Sequence, residues 1–276
     1  MATSEQMQAW RLPEFNSDVE KAIDSLQLED GIPVPTPEEG QMLLKVHCTS
    51  LNPIDWKLFT GKFQKDTPVD LPYTPGFDVA GTVLTAQLGF NIGDKVLTNL
   101  GLLESCKSPA PLPNGQAGAL AKFVVVPAKS CVKLHKSTDF KEVAGLPLAG
   151  LTSYQALFGI ARSGLNGQPL GDAQEGKKVL SLGASGGTGS LAVQLAKQAG
   201  CLVSATASSH PISKRSELTK IDLVAALGAD VVIDYEKKDW SELLKGANYD
   251  IIFDCVGNME DLTVKAPKVL KKGGQF

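Results

Sequence analysis

The stretch from Val179 to Gly200, V-L-S-L-G-A-S-G-G-T-G-S-L-A-V-Q-L-A-K-Q-A-G, constrains this chain more than any other. Mostly apolar residues, Val179 to Leu182, run into a glycine cluster of Gly183, Gly186, Gly187 and Gly189. A helical pattern then begins, with Leu191, Leu195 and Ala199 on one face. Strand, tight turn and helix follow one another without a linker. Glycines let backbone approach a ligand closely, and the free N–H groups at a helix start favour an anion. The spacing is A-x-G-x-x-G with Ala184 at its first position and Gly183 in front. Ser185, Gly186, Gly187, Thr188 and Gly189 are therefore expected to grip the pyrophosphate of a dinucleotide. From the motif alone, a plain glycine turn between any strand and helix remains open.

The surrounding pattern supports the first reading. Beyond Lys136, Asp139–Gly145 reads as a capped helix start and Leu148–Arg162 as a second helix. Strands are expected at Val179–Leu182, Leu202–Ala207, Val231–Asp234 and Ile251–Asp254, each a continuous apolar run. Such runs suit parallel strands covered by helices on both faces, so residues 136–276 read as a Rossmann-type, doubly wound α/β unit. Residues 6–135 read as short strands and turns. Gln41–Cys48, Phe77–Leu84, Lys95–Leu97 and Ala121–Val126 are the apolar runs, and they suggest an antiparallel, barrel-like β domain over residues 1–135. Lys107–Gly118, rich in proline and glycine, reads as a surface loop.

Composition excludes several classes. A net charge of −3 over 276 residues offers no basic field for nucleic acid. Five scattered cysteines without C-x-x-C spacing fit reduced thiols, and His47, His135 and His210 do not pair at metal-ligand spacing, so no metal is expected. Val143–Ala161 carries no charge, but Pro147 and the polar run Thr152-Ser153-Tyr154-Gln155 speak against a transmembrane span. The N-terminus shows neither a secretory signal nor an ordinary transit peptide, so a cytoplasmic protein is expected.

Five segments carry a family pattern: Ser50-Leu51-Asn52-Pro53-Ile54-Asp55-Trp56-Lys57, Pro75-Gly76-Phe77-Asp78-Val79-Ala80-Gly81, Leu146-Pro147-Leu148-Ala149-Gly150-Leu151-Thr152, the glycine turn, and Tyr249-Asp250-Ile251-Ile252-Phe253-Asp254-Cys255-Val256-Gly257. The chain resembles the zinc-independent quinone oxidoreductase branch of the medium-chain dehydrogenase/reductase superfamily, most of all plant chloroplast-envelope quinone oxidoreductase homologues and alkenal reductases. The resemblance implies a GroES-like substrate domain, then a Rossmann domain, with the active site in the cleft between them. Gly273-Gly274 reads as a turn and Gln275-Phe276 as the first residues of a further strand, so a shortened chain is expected, with a natural end on a short edge strand left open, and the resemblance implies that the family's last fifth is missing. A homodimer stays open on that ground. Where zinc-bearing relatives place a cysteine ligand this chain has Asn52, and where they place Gly-His-Glu it has Gly76-Phe77-Asp78. The resemblance thus implies chemistry without catalytic zinc.

The expected activity is hydride transfer from NADPH to a quinone or an α,β-unsaturated carbonyl compound. Negative charge then develops on the carbonyl oxygen, which calls for a hydrogen-bond donor and exclusion of water. Lys57 and Asn52 are the candidate catalytic donors, with Asn52 also a contact for the nicotinamide ribose or a local turn. Tyr73 is a candidate pocket residue, and Thr152, read at a helix start, a contact for nicotinamide or substrate. Cys255, Val256 and Gly257 follow the fourth strand at its carboxyl end, where open α/β sheets bind ligands. After the second strand stand Ser208 and Ser209 rather than an acid, with Lys214 and Arg215 beyond, a setting for a 2′-phosphate. Tyr235 is implied at the adenine-ribose end. Two other readings stay open: a non-catalytic NADPH-binding scaffold or redox sensor, and, with the motifs against it, a zinc alcohol dehydrogenase. Peripheral attachment to a plastid envelope is the alternative to the cytoplasm.

Overall fold

The computed structural model describes residues 5–65, 69–101, 118–159 and 171–276. The Lys107–Gly118 loop, apart from Gly118, and the end of the helix expected to reach Arg162 lie outside the described residues. The chain forms two compact units, Met1–Leu148 and Ala149–Phe276.

The first unit contains β1 (Gln6–Arg11), α1 (Val19–Asp24), β2 (Gln27–Pro33), β3 (Gln41–Cys48), α2 (Pro53–Phe59), β4 (Asp78–Val83), β5 (Lys95–Asn99), β6 (Phe123–Pro127), β7 (Val132–Lys133), α3 (Phe140–Val143) and the start of α4 (Pro147–Phe158). Five strands pair antiparallel in the order β6-β3-β4-β5-β7, and β1 and β2 form a separate antiparallel ribbon. Met42 and Leu44 on β3, Val79 and Val83 on β4, Val96, Val124 and Val126 close one core. A second cluster gathers Leu12, Leu58, Phe59, Tyr73 and Phe77 around α2. A Cβ at Gly81 would stand 2.5 Å from the Lys45 carbonyl oxygen, so the β3–β4 contact requires glycine there.

Reading residues 6–135 as strands and turns alone is corrected by α1 and α2. Each has only six or seven residues, too few to show a helical period, and each is set by its cap. The Asp18 carboxylate accepts from the Glu20 N–H at 3.1 Å, and Asn52 precedes α2 with Pro53 at its first turn. The sequence pattern changes at Lys136, yet residues 136–148 pack with the first unit. The Lys95 ammonium donates to the Thr138 carbonyl at 2.7 Å, Phe140 stacks on His47 at 4.7 Å, and Leu148 packs against the α2 cluster.

The second unit continues α4 and adds β8 (Lys178–Leu182), α5 (Gly187–Gln198), β9 (Leu202–Ala207), α6 (Lys220–Ala226), β10 (Val231–Asp234), α7 (Trp240–Leu243), β11 (Tyr249–Asp254), a π-helical turn (Asp261–Lys265), α8 (Ala266–Val269) and β12 (Leu270–Gln275). The sheet is parallel throughout, in the order β10-β9-β8-β11-β12. Successive residues of β8 serve opposite faces. Val179 joins Val203, Ala205 and the α5 residues Ala192, Val193 and Ala196, while Leu180 and Leu182 join Ile233, Trp240, Ile252 and Val269. This is why the strands read as unbroken apolar runs. At the end of the chain, the turn expected at Gly273-Gly274 is instead the body of β12. A Cβ at Gly274 would lie 3.0 Å from the Tyr249 carbonyl oxygen, so glycine lets β12 close on β11.

Candidate functional site

The strand order reverses direction between β8 and β11, and ligands of open α/β sheets bind outside the carboxyl ends of strands at such a point. The turn after β8 is built for close approach there. Gly183 has φ +70°, and a Cβ on it would stand 3.0 Å from Val256 Cγ2. The Gly183 N–H donates to Thr206 Oγ1 at 3.0 Å, and the Ala184 N–H to the Thr206 carbonyl at 3.0 Å, which ties the turn to β9. A Cβ on Gly189 would lie 2.5 Å from the Gly183 carbonyl oxygen, so α5 can seat on the turn only without a side chain there.

Gly186 caps α5 with extended backbone, and no side chain bonds the helix start. The first-turn N–H groups, those of Gly187, Thr188 and Gly189, have no acceptor within the helix and face where the dipole favours an anion. Ser153 holds this end in place by donating to the Thr188 carbonyl at 2.8 Å. Beside the turn is a cavity of about 500 Å³. Gly183 and Ser185 line it from the turn after β8, Thr206 from β9, and Val256 and Asn258 from the loop after β11. Tyr235, Glu236, Lys237, Lys238 and Asp239 line it from the loop after β10, with Asp261 and Lys265 from the π-helical turn. An uncapped helix start and glycines where a Cβ would collide fit the pyrophosphate of a dinucleotide.

The second unit brings most of the expected cofactor residues to this edge. In the loop after β11, the Asp254 carboxylate accepts from the Val256 N–H at 2.7 Å and from the Gly257 N–H at 3.1 Å. Cys255 is half-buried, and burial pushes its thiol up, opposed by a hydrogen bond with Thr188, so it is a packed residue rather than a ready thiolate. Ser208 is buried with its hydroxyl oxygen lacking a hydrogen-bond partner, and Ser209 Oγ accepts from the Lys237 ammonium at 3.4 Å.

Two expectations change. Lys214 and Arg215 stand exposed on a loop closed by the Ile212 N–H to Leu218 carbonyl bond at 2.9 Å, and neither lines the cavity. Lys237 and Lys238 line it instead. Their signal in the sequence was position alone, three and four residues past the end of β10 on the same sheet edge. Thr152 is inside α4, not at its start, so capping is not its role.

In the first unit the polar residues centre on Asp78, which is fully buried. Its Oδ2 accepts from Ser50 Oγ at 2.6 Å and Asn52 Nδ2 at 2.8 Å, and its Oδ1 from Asn99 Nδ2 at 2.8 Å and the Leu148 N–H at 2.9 Å. Asp55, on α2, is also buried. Its carboxylate accepts from the Asn52 N–H at 2.7 Å and the Gly76 N–H at 3.2 Å. Burial pushes it up to about 6 against the pull of those two N–H groups, with Asp78 adding to the rise. Asn52 is thus held through its backbone by one carboxylate and through its side chain by the other. Lys57 is exposed on the same helix, its ammonium 5.7 Å from the Trp56 ring centroid. Tyr73 is buried among Leu12, Phe59 and Phe77, and desolvation raises its phenol, which makes it a packing residue. The expected list held neither Asp55 nor Asp78. Their signals were an acid three residues after a cap position and a lone acid opening an apolar strand. Among the described residues, no group of three or more His, Cys, Asp or Glu side chains could hold a metal ion.

A group raised by burial weakens the fold when it ionises. Asp55 therefore lends stability below its ordinary value of 3.8, and that contribution is lost as pH rises through about 6. Relative to an Asp55→Asn variant, the wild type is expected to lose about 2 kcal/mol between about pH 4.5 and 7.5. Urea unfolding of both proteins across that range checks it, and parallel curves would contradict it.

Comparison with known proteins agrees with both halves of this description. Residues 38–136 match the family described as alcohol dehydrogenase GroES-like domain, and residues 187–276 match that described as zinc-binding dehydrogenase. The NADPH-dependent alkenal/one oxidoreductase, chloroplastic, of Arabidopsis thaliana is 37% identical over 277 residues, 98% of this chain and 61% of that protein. The chloroplast envelope quinone oxidoreductase homolog of the same plant is 36% identical over 249 residues, 88% of this chain and 67% of that protein. The chain thus spans 61% to 67% of the lengths of these relatives. The solved quinone oxidoreductase of Coxiella burnetii superposes with a TM-score of 0.72 at 31% identity, covering 98% of this chain and 74% of that one. No helix among the described residues is long and apolar enough to cross a membrane. With a glycine-gripped parallel sheet following a GroES-like β unit, and this identity to relatives of both kinds, the chain belongs to the medium-chain dehydrogenase/reductase superfamily, in the branch of the quinone oxidoreductases and alkenal reductases.

Proposed function

We propose that the protein is an NADPH-dependent reductase of quinones or α,β-unsaturated carbonyl compounds that works without zinc. The observation that carries the reading is the phosphate grip beside a cavity lined by Lys237 and Lys238, with Ser209 within reach of Lys237. β9 is followed by Ser208 and Ser209 rather than an acid, and Lys237 reaches Ser209 at 3.4 Å. Hydroxyls and ammonium groups suit a 2′-phosphate, whereas an acid would suit the free ribose hydroxyls of NAD.

When bound, the reduced nicotinamide supplies the hydride. The residues of the chain do the rest. The first-turn N–H groups of α5 bind the pyrophosphate, with Val256 and Gly257 beside Gly183 as further cofactor contacts. Tyr235 flanks the adenine-ribose end, and Thr152 is retained as a contact for nicotinamide or substrate. Asn52 and Lys57 are the donors for the carbonyl oxygen on which charge develops. Lys57 is the freer of the two to reorient, since Asn52 Nδ2 is engaged by Asp78. Where zinc-bearing relatives place a cysteine this chain has Asn52, whose neutral amide is a donor rather than an anionic ligand. Relatives named chloroplastic make a plastid the alternative to a cytoplasmic setting.

The cofactor preference is directly measurable. NADPH is expected to bind at least tenfold more tightly than NADH, and Lys237→Ala to erase most of that difference while leaving NADH binding unchanged. Titration of nicotinamide fluorescence reads both. Equal affinity of the wild type for the two cofactors would sink the assignment.

A further inference from the structure

Asp55 takes no part in the chemistry proposed above, yet it joins two segments that meet at Asn52. Its Oδ2 accepts the Asn52 N–H at 2.7 Å and its Oδ1 the Gly76 N–H at 3.2 Å. Gly76 is in the left-handed region at φ +101°, and a Cβ there would lie 3.0 Å from the Leu120 nitrogen. The turn is also tied down by the Ala119 N–H to Gly76 carbonyl bond at 3.0 Å, so Gly76 is a fixed wall and not a loose loop. One buried carboxylate therefore fastens the start of α2 to that wall, while Asp78 takes the Asn52 side chain from the β4 side.

We propose that Asp55 is a positioning residue of the reductase site: as the carboxylate it clamps the Asn52 and Gly76 N–H groups together and so fixes how Asn52 is presented, and on protonation at Oδ1 it releases Gly76. The inference rests on the reading of Asn52 as a donor at that site. The proton comes from solvent, and a protonated Oδ1 becomes a donor that faces the Gly76 N–H instead of accepting from it. The ionisable groups that face Asp55 are Asp78 from β4, whose charge opposes its ionisation, and the Tyr73 phenol from the segment before it, whose own ionisation Asp55 opposes. Lys57 is on the same helix but exposed. Among the described residues no cation is paired with Asp55; the two N–H groups favour its ionised form, and burial moves the transition to about 6.

Hydrogen-exchange protection of the Gly76 and Asn52 amides, measured on the whole chain between about pH 7.5 and 5, tests the clamp apart from any activity. Gly76 protection is expected to fall about tenfold or more across that range, with a smaller loss at Asn52. In Asp55→Asn, Gly76 protection should be low and insensitive to pH. With NADPH and an enone, this variant should lose about tenfold or more in kcat/KM at about pH 7.5 and lack the wild-type decline toward acid, whereas Asp55→Glu should regain part of both. Gly76 protection that does not change with pH in the wild type, or an Asp55→Asn variant with the wild-type pH profile, would overturn the proposal. A wild type without turnover would overturn the reductase reading alone, and the amide protection then decides the clamp by itself.

Discussion

Replacing Asp78 with alanine is expected to cost the first unit about 3–5 kcal/mol, enough to unfold it at moderate temperature. The carboxylate is fully buried and accepts four hydrogen bonds, from Ser50, Asn52, Asn99 and the Leu148 N–H. Alanine would leave those donors facing a dry cavity, and each unsatisfied buried group costs about 1–3 kcal/mol. Asparagine in its place keeps the shape but turns one oxygen into a donor facing other donors, so Asp78→Asn should recover only part of the loss. Thermal unfolding monitored by circular dichroism reads the series. A Tm for Asp78→Ala within a degree or two of the wild type would show that the network does not hold this unit together.

Gly189→Ala should have the largest effect on cofactor affinity for the least change in chemistry. Its Cβ would be 2.5 Å from the Gly183 carbonyl oxygen and 2.8 Å from Ala184 Cα, and both are backbone atoms that cannot rotate away. The start of α5 must shift, and with it the N–H groups that hold the pyrophosphate. Overpacking of this kind costs about 1–3 kcal/mol, and an equal loss in binding would weaken NADPH about fivefold to 150-fold. Gly187→Ala is the matched control, because the nearest atom to its Cβ would be that of Ala149 at 4.0 Å. Equal NADPH affinity in the two variants would contradict the packing argument.

How much of this was legible in the sequence depends on the range of the interaction. The parallel strands were readable because β8, β9 and β11 are covered on both faces and so carry no polar alternation. The glycine turn was readable because the backbone contact it serves is local, between Gly183 and Gly189. α1 and α2 were not, since six or seven residues show no period and their stability comes from caps and from packing under Leu12 and Phe77. Lys214 and Arg215 are near Ser209 in sequence alone, whereas Lys237 reaches Ser209 from a different loop. The Asp55 and Asp78 pair was hidden for the same reason: its partners, Gly76, Asn99 and Leu148, come from segments that only the folded β unit brings together. Asn52 was legible as a candidate, but what holds it was not.

The most direct test follows the loss of nicotinamide absorbance when the purified chain is mixed with NADPH and a panel of paired quinones and enones, with a strong chelator present. NADPH should be consumed with at least one quinone or enone, the chelator should leave the rate unchanged, and NADH should be a poorer donor. No consumption with any acceptor, despite tight NADPH binding, would contradict the reductase account and leave a nucleotide-binding protein in its place.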